Sequence, residues 1–234
     1  MPATRNIMSS ALFSLPFLGY QPVNISNGEP ALTAANLTKQ TILGPPFSWP
    51  WNRNTFTLAL TTDTQNYDLA LPDYGFIERA WLIDAQQNVT EIKIRLALAA
   101  ESHVQRPQSV AVQYMADDGT VSFRINAMPD QPYTMEGFYQ QAPVLMSSLA
   151  ATWGPIPDYL GYIYDWGFLS NVAMLTKDAR FPIFAQRFNA HILGAQGGLT
   201  TMQRNIFLGN WLEVMSAAQE SQLTTQQSVS SRQV

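Results

Sequence analysis

At 234 residues and 26.1 kDa the chain has room for one large domain or two small ones, and its 46% apolar content is that of an ordinary globular core. Only 13% of the residues are charged, the net charge is −4 with a pI near 5.1, and no basic tract occurs, which excludes tight nucleic-acid binding by phosphate neutralisation. With no cysteine there is no disulfide framework or thiolate chemistry, and no run approaches the ~20 apolar residues of a membrane-spanning helix.

Such sparse charge points to large protein–protein contacts, whose centres are depleted in charged residues and enriched in aromatics, Met and Arg. All the basic residues are Arg except Lys39, Lys93 and Lys177; an Arg-biased genome would give the same ratio. Acid is in excess between Arg53 and Gln140, while the region after Pro157 is balanced.

In chain order, "TRNIMSSALFSLPFLGY" reads as a short docking helix over 5–13. As a secretory leader it fails, because Ser14 and Pro16 break its apolar core and no small-x-small cleavage site follows. The Asn-x-Ser/Thr matches at Asn24, Asn36 and Asn88 carry no weight without secretion. "SNGEPALTAANLTKQTILG" predicts a second helix, capped by Asn27 or Gly28 and ended by Gly44. The stretch "GPPFSWPWN" then forms a Trp/Pro hinge, where Trp49 and Trp51 sit among Pro45, Pro46 and Pro50.

Past the hinge the period switches from 3.6 to 2. Phe56, Leu58 and Leu60 alternate with polar or small residues, as do Tyr67, Leu69 and Leu71, and Ile92, Ile94 and Leu96. Further strands are expected over 76–83, 110–114, 121–125 and 133–139, with Asp117-Asp118-Gly119 as a hairpin turn. About seven turn-punctuated strands predict an antiparallel sandwich or barrel. Helical spacing returns after Pro157, through Tyr162, Ile163, Trp166, Leu169 and Val172, and again after Pro182 through Phe184, Phe188 and Ile192. Gly197-Gly198 breaks that helix, a last helix runs from Leu199 to about Ala217, and the tail from Gln219 is polar enough to predict disorder. The expected fold is therefore α+β: a helical bundle from N- and C-terminal helices (1–52 and 144–218) with an inserted antiparallel β-sandwich or barrel (53–143) and a polar tail (219–234).

Catalytic and cofactor motifs are missing. There is no HExxH, CxxC, GxxxxGK[ST] or GxSxG, and the Gly194–Gly198 cluster follows no strand. His103 lies in a polar loop, and His191 on a helix suits a structural role better than catalysis. Asp158 and Asp165, seven apart on one helix face, with Asp178 nearby, are the best candidate carboxylate pair for a glycosidase. Capping explains Asp158, and a turn explains Asp178. No enzyme activity, metal or cofactor is expected. The tryptophans fall one per junction or apolar face, mostly as core, with those of the hinge the best candidates for contact.

"NRNTFTLALTTDTQNYDLALPDYGFIERAWLID" (52–84) resembles the opening of the β-domain in head-to-tail adaptors of short-tailed phages, the tail tubular protein A family. The shared features are the hinge with Trp49 and Trp51, the Thr-rich strand of Thr55 to Thr62, and "YDLALPDY" from Tyr67 to Tyr74. A late strand between Pro132 and Pro143 and a helical hairpin from Pro157 to Leu175 follow in the same order, so that the resemblance spans roughly Ala31 to Ser216. It implies a virion structural protein of the neck, assembled in the bacterial host cytoplasm. About twelve copies would form a ring between the portal and the tail nozzle. Double-stranded DNA would pass non-specifically through the lumen, with no membrane partner. Interface candidates are Trp49, Trp51, Arg53, Arg180, Arg187, Arg204 and Trp211; channel-lining candidates are Asp63, Asp68, Asp73, Asp117 and Asp118. The rival readings are a monomeric β-sandwich module that binds carbohydrate or protein, and a nozzle or decoration component of the same virion.

Overall fold

The computed structural model describes residues 4–24, 26–98 and 103–196. The expected last helix (199–217), the Gly197-Gly198 break and the polar tail lie outside the described residues, as do Arg204 and Trp211. The chain divides into two compact units, Ser48–Ala142 and Met1–Phe47 with Pro143–Val234.

The first of these is built on seven strands: β1 (Arg53–Leu60), β2 (Asn66–Ala70), β3 (Tyr74–Ile83), β4 (Val89–Arg95), β5 (Ser109–Met115), β6 (Thr120–Ile125) and β7 (Tyr133–Gln141). They form one sheet in the order β1-β7-β3-β4-β5-β6-β2. This is the first correction to the expected antiparallel sandwich or barrel, because β4 and β5 pair in parallel, Lys93 opposite Ser109. Their connection, 96–108, has the dozen or so residues that a parallel crossover needs. The sheet curls until it is nearly a closed barrel: Phe56 of β1 stacks on Phe123 of β6 at 5.4 Å. Inward alternation of Phe56, Leu58, Leu60, Phe123, Ile125, Met135 and Tyr139 fills the interior. The β5–β6 hairpin turns at Asp117–Gly119, where Gly119 takes a φ of 83° and Asp118 Oδ1 accepts the Thr120 N–H at 2.9 Å.

Gly137, in mid-strand on β7, leaves room for an aromatic ring. A Cβ there would lie 2.5 Å from both Phe56 Cε1 and the Arg79 carbonyl oxygen. Gly137→Ala is therefore expected to destabilise the β unit by about 1–3 kcal/mol, the range for overpacking a core. Urea unfolding followed by far-UV circular dichroism would measure it, and an unchanged midpoint would mean that β7 shifts freely.

The second unit holds α1 (Ile7–Leu18), α2 (Ala31–Leu43), α3 (Gly161–Leu175) and α4 (Phe181–Ala195). Asn6 caps α1 by accepting the Ser9 N–H at 3.0 Å. The helix runs through Pro16, beyond the expected stop, until Gly19 ends it in a left-handed conformation (φ 80°). Leu12 and Pro16 are both exposed, so the carbonyl deprived of its donor faces water. Pro30 stands at the cap position of α2; the Gly28 carbonyl accepts the Leu32 N–H at 3.0 Å and Glu29 Oε2 the Thr33 N–H at 3.2 Å, while Asn27 Oδ1 accepts the Glu29 N–H ahead of the helix.

The helices supply the second correction. They do not form a bundle of amphipathic stripes carrying an inserted domain; the whole is a mixed α+β fold in which α3 is a hub, touched by α1, α2 and α4. Ile163, Tyr164, Phe168, Leu169, Val172 and Ala173 leave no broad polar face on α3, as suits a helix packed against three others. Gly167 permits the close approach, since a Cβ there would lie 2.6 Å from Thr38 Cγ2 and 2.8 Å from Phe188 Cε2.

Candidate interface surfaces

The Trp/Pro hinge is split between the units: Pro45 and Pro46 fall in the helical unit, Trp49, Pro50 and Trp51 in the β unit. Trp49 is buried, and its N–H donates to Gln140 Oε1 at 3.0 Å while Gln140 Nε2 donates back to its carbonyl at 3.2 Å. Trp51, half-buried, stacks on Trp49 at 5.2 Å. Gln140 Nε2 also reaches Glu78 Oε2 at 2.8 Å, and Glu78 takes a two-pronged ion pair from Arg53, at 2.9 Å from Nε and 2.5 Å from Nη2. Arg53 lies 4.9 Å over the ring of Phe138, which meets Trp81 edge to face at 5.2 Å. Trp49 is thus a core residue, and Trp51 and Arg53 lie at its margin.

On the helical unit, stripes from three helices converge. Phe13 and Phe17 of α1, Tyr162 and Trp166 of α3, and Phe184, Arg187 and His191 of α4 are each spaced three or four apart, on one helix face. Trp166 lies 5.6 Å from Phe13, 5.2 Å from Phe17, 6.4 Å from Phe184 and 6.2 Å from His191. The Arg187 guanidinium sits 4.9 Å over its ring, and Tyr162, 42% exposed, meets His191 edge to face. Burial and the Arg187 charge both lower the His191 pKa, so the imidazole is neutral around pH 7. Arg180 has a different task. It pairs with Asp178 at 2.6 Å and donates to the Phe17 and Leu18 carbonyls, closing the end of α1.

The candidate acids fall in different settings. Asp63, Asp68, Asp117 and Asp118 are exposed. Asp73 is half-buried and accepts from the Tyr139 hydroxyl at 2.7 Å, from Gln141 and from Asn54; although its burial works the other way, these bonds hold its carboxyl below the usual carboxylate range. The Tyr139 hydroxyl is pushed up to about 12, by burial first and then by Asp73.

Asp158 and Asp165 hold the N-terminal segment. Asp158 does not cap α3; its Oδ2 accepts the Thr4 N–H at 2.9 Å and the Thr4 hydroxyl at 2.6 Å. The side chain of Asp165, 4% exposed, takes Arg5 at 2.7 Å and the Ser10 hydroxyl at 2.8 Å. Burial raises the Asp165 pKa in spite of these partners, so its contribution to stability is complete below the ordinary carboxylate range and is lost as pH rises through the raised value. Asp165→Asn is therefore expected to gain on the wild type as pH rises from about 4 to 7 and to lie within about 1 kcal/mol of it at neutrality. Denaturant midpoints at three pH values test this, and an Asn variant that falls further behind as pH rises refutes it.

Among the described residues no three His, Asp or Glu side chains converge to hold a metal, and no helix is long and apolar enough to cross a membrane. The Asn-x-Ser/Thr asparagines have structural partners: Asn36 bonds both the N–H and the carbonyl of Met146, 110 residues away, while Asn88 donates to Asp84 and Asn24 accepts from Ser26. The sequence reading missed the aromatic convergence, although the i, i+4 pairs Phe13/Phe17 and Tyr162/Trp166 signal it. It also missed Tyr114 and Met115, which a register shift in β5 leaves exposed beside the Asp117-Asp118 turn.

Comparison with known proteins gives the context. The family model described as SU10 adaptor protein matches residues 25–207, more than three quarters of the chain. No curated protein matches. The chain belongs to the SU10 adaptor family, whose members are phage adaptor-type structural proteins, and membership implies a virion-associated, non-enzymatic role in contact with other virion proteins.

Proposed function

From membership of an adaptor family, we propose that this chain is a head-to-tail adaptor of a short-tailed phage, akin to tail tubular protein A. About twelve copies form a closed ring between portal and tail nozzle, assembled in the bacterial host cytoplasm. The helical part (1–52 and 144–218) faces the portal and the β part (53–143) the next tail component, while DNA passes through the lumen. The family match carries the reading. Sparse charge, Arg in place of Lys, and a face where exposed Tyr162 and Arg187 flank half-buried Trp166 support it, because these residue types dominate the energetics of protein contacts. Trp51, Arg53, Arg180, Arg187, Arg204 and Trp211 are the candidates for contact with neighbours. Asp63 and Asp68 are exposed candidates for the bore, where like charge lets DNA slide without sticking.

Native mass spectrometry of the full chain, titrated with the portal ring of its phage, tests the reading. Saturation at about twelve chains per portal is the expected result. A portal that stays bare while the chain remains a folded monomer would overturn it, in favour of a binding module or a later position in the tail.

A further inference from the structure

The adaptor reading leaves open which surfaces of the chain meet in the ring. Resting on that reading, we propose that the tip of the β5–β6 hairpin of one copy seats on the aromatic and arginine face of the next copy's helical unit. The tip combines two carboxylates, Asp117 and Asp118, with Tyr114 and Met115, each 56% exposed. The register shift between Val112 and Tyr114 breaks the strict alternation of β5 just before the turn, and Gln113, Tyr114 and Met115 are all exposed. Bulges of this kind re-aim side chains at the ends of strands.

The opposing face has the matching chemistry. The Arg187 guanidinium sits over the Trp166 ring and, among the described residues, pairs with no carboxylate. Likewise Asp117 and Asp118 meet no cation among the described residues. Tyr162 and Trp166 offer aromatic surface to the Met115 thioether and the Tyr114 ring, contacts that favour sulfur at a ring edge and offset rings. His191, neutral at the rim, adds no charge to repel or to desolvate.

Charge across the whole chain points the same way. Residues 48–142 carry eleven Asp and Glu against six Lys and Arg, a net of −5, whereas the rest of the chain carries six against seven, a net of +1. Contact between unlike units of two copies is favoured by that asymmetry, and contact between two β units is opposed. Because the two surfaces differ, the contact is heterologous, and repeating it closes a ring or runs on as a filament.

The absence of cysteine makes the test clean. Asp118→Cys and Arg187→Cys each introduce a sole thiol at an exposed position; Asp118→Cys gives up one turn hydrogen bond, to the Thr120 N–H, and both variants are expected to stay folded. Diamide, which accepts the two electrons and two protons lost when two thiols join, is added to portal-bound assemblies made from equal parts of the two variants. Covalent dimers are expected in the mixture and not in either variant alone, and the double variant is expected to give a ladder. Assemblies that form but stay uncross-linked, or Asp118→Cys linking to itself, would overturn the proposal and leave the adaptor reading standing. Chains that never bind the portal would overturn both. Arg187→Glu, and separately Asp117→Lys with Asp118→Lys, are expected to weaken association between copies about tenfold or more, with recovery when combined; no recovery counts against the contact.

Discussion

Replacing Trp153 with alanine is expected to cost about 3–5 kcal/mol, the range for truncating a fully buried aromatic. Trp153 is wholly buried and lies parallel to Tyr164, with ring centroids 4.6 Å apart. Its indole N–H donates to Ser10 Oγ at 3.0 Å, Ser10 donates on to Asp165, and Asp165 holds Arg5. The indole therefore fills space and also heads a relay of polar groups that fixes the N-terminal segment against α3. Truncation leaves a cavity beside Tyr164 and removes one donor from the Ser10 hydroxyl. Trp153→Phe keeps a six-membered aromatic ring beside Tyr164 but loses the N–H donor and the pyrrole part of the indole, so its expected cost is about 1–3 kcal/mol, a hydrogen bond plus a small cavity. Denaturant unfolding of the pair measures both terms. Equal losses in the two variants would mean that the relay, not the volume, carries the stability.

Much of the fold was legible. Seven strands stand where the pattern put them, although at β4 the expected inward row fails, with Ile92 buried but Ile94 and, just past the strand, Leu96 exposed, and the Asp117-Asp118-Gly119 turn appeared where its composition put it. The pairing of β4 with β5 was not legible, because a parallel neighbour is set by a long connection with no local signature. The role of α3 was hidden as well. Its run of Ile163, Tyr164, Phe168, Leu169, Val172 and Ala173 reads as one generous stripe, and only the packing of three helices around it shows a hub. Asp158 read as a cap because carboxylates at helix starts usually are caps, and a partner 154 residues away in sequence leaves no trace in local composition.

The interface residues divide in the same manner. Aromatic content alone could not separate Trp49, 3% exposed, from the half-buried Trp166. Arg180, just before α4, and Arg187, seven residues on and within it, looked equivalent. One binds backbone carbonyls that end α1, and the other lies on an indole. Three-dimensional neighbours decide this, and spacing along the chain does not.

Trp49 and Trp51 give the sharpest test of what the hinge does. Trp49→Ala is expected to destabilise the β unit by about 3–5 kcal/mol, because the indole is 3% exposed. Its backbone, held at both N–H and carbonyl by Gln140, loses the packing that keeps it against β7. Trp51→Ala, at the half-buried outer partner of the stack, is expected to lose about 0.5–1.5 kcal/mol, the worth of an aromatic pair. The two residues touch, so the double variant should cost less than the sum of the singles. Joining a helical element to a sheet takes only a short polar loop, and such loops sit at the surface. A buried tryptophan tied through its backbone to Gln140 of β7 instead makes this end of the hinge part of the β unit, so that entry into β1 is fixed by packing and hydrogen bonds as well as by Pro50. The discriminating measurement is assembly with the portal at a denaturant concentration where all variants remain folded. Unimpaired assembly of Trp51→Ala would confine the hinge to stability; weakened assembly with little loss of stability would place the exposed edge of Trp51 in a contact with another chain.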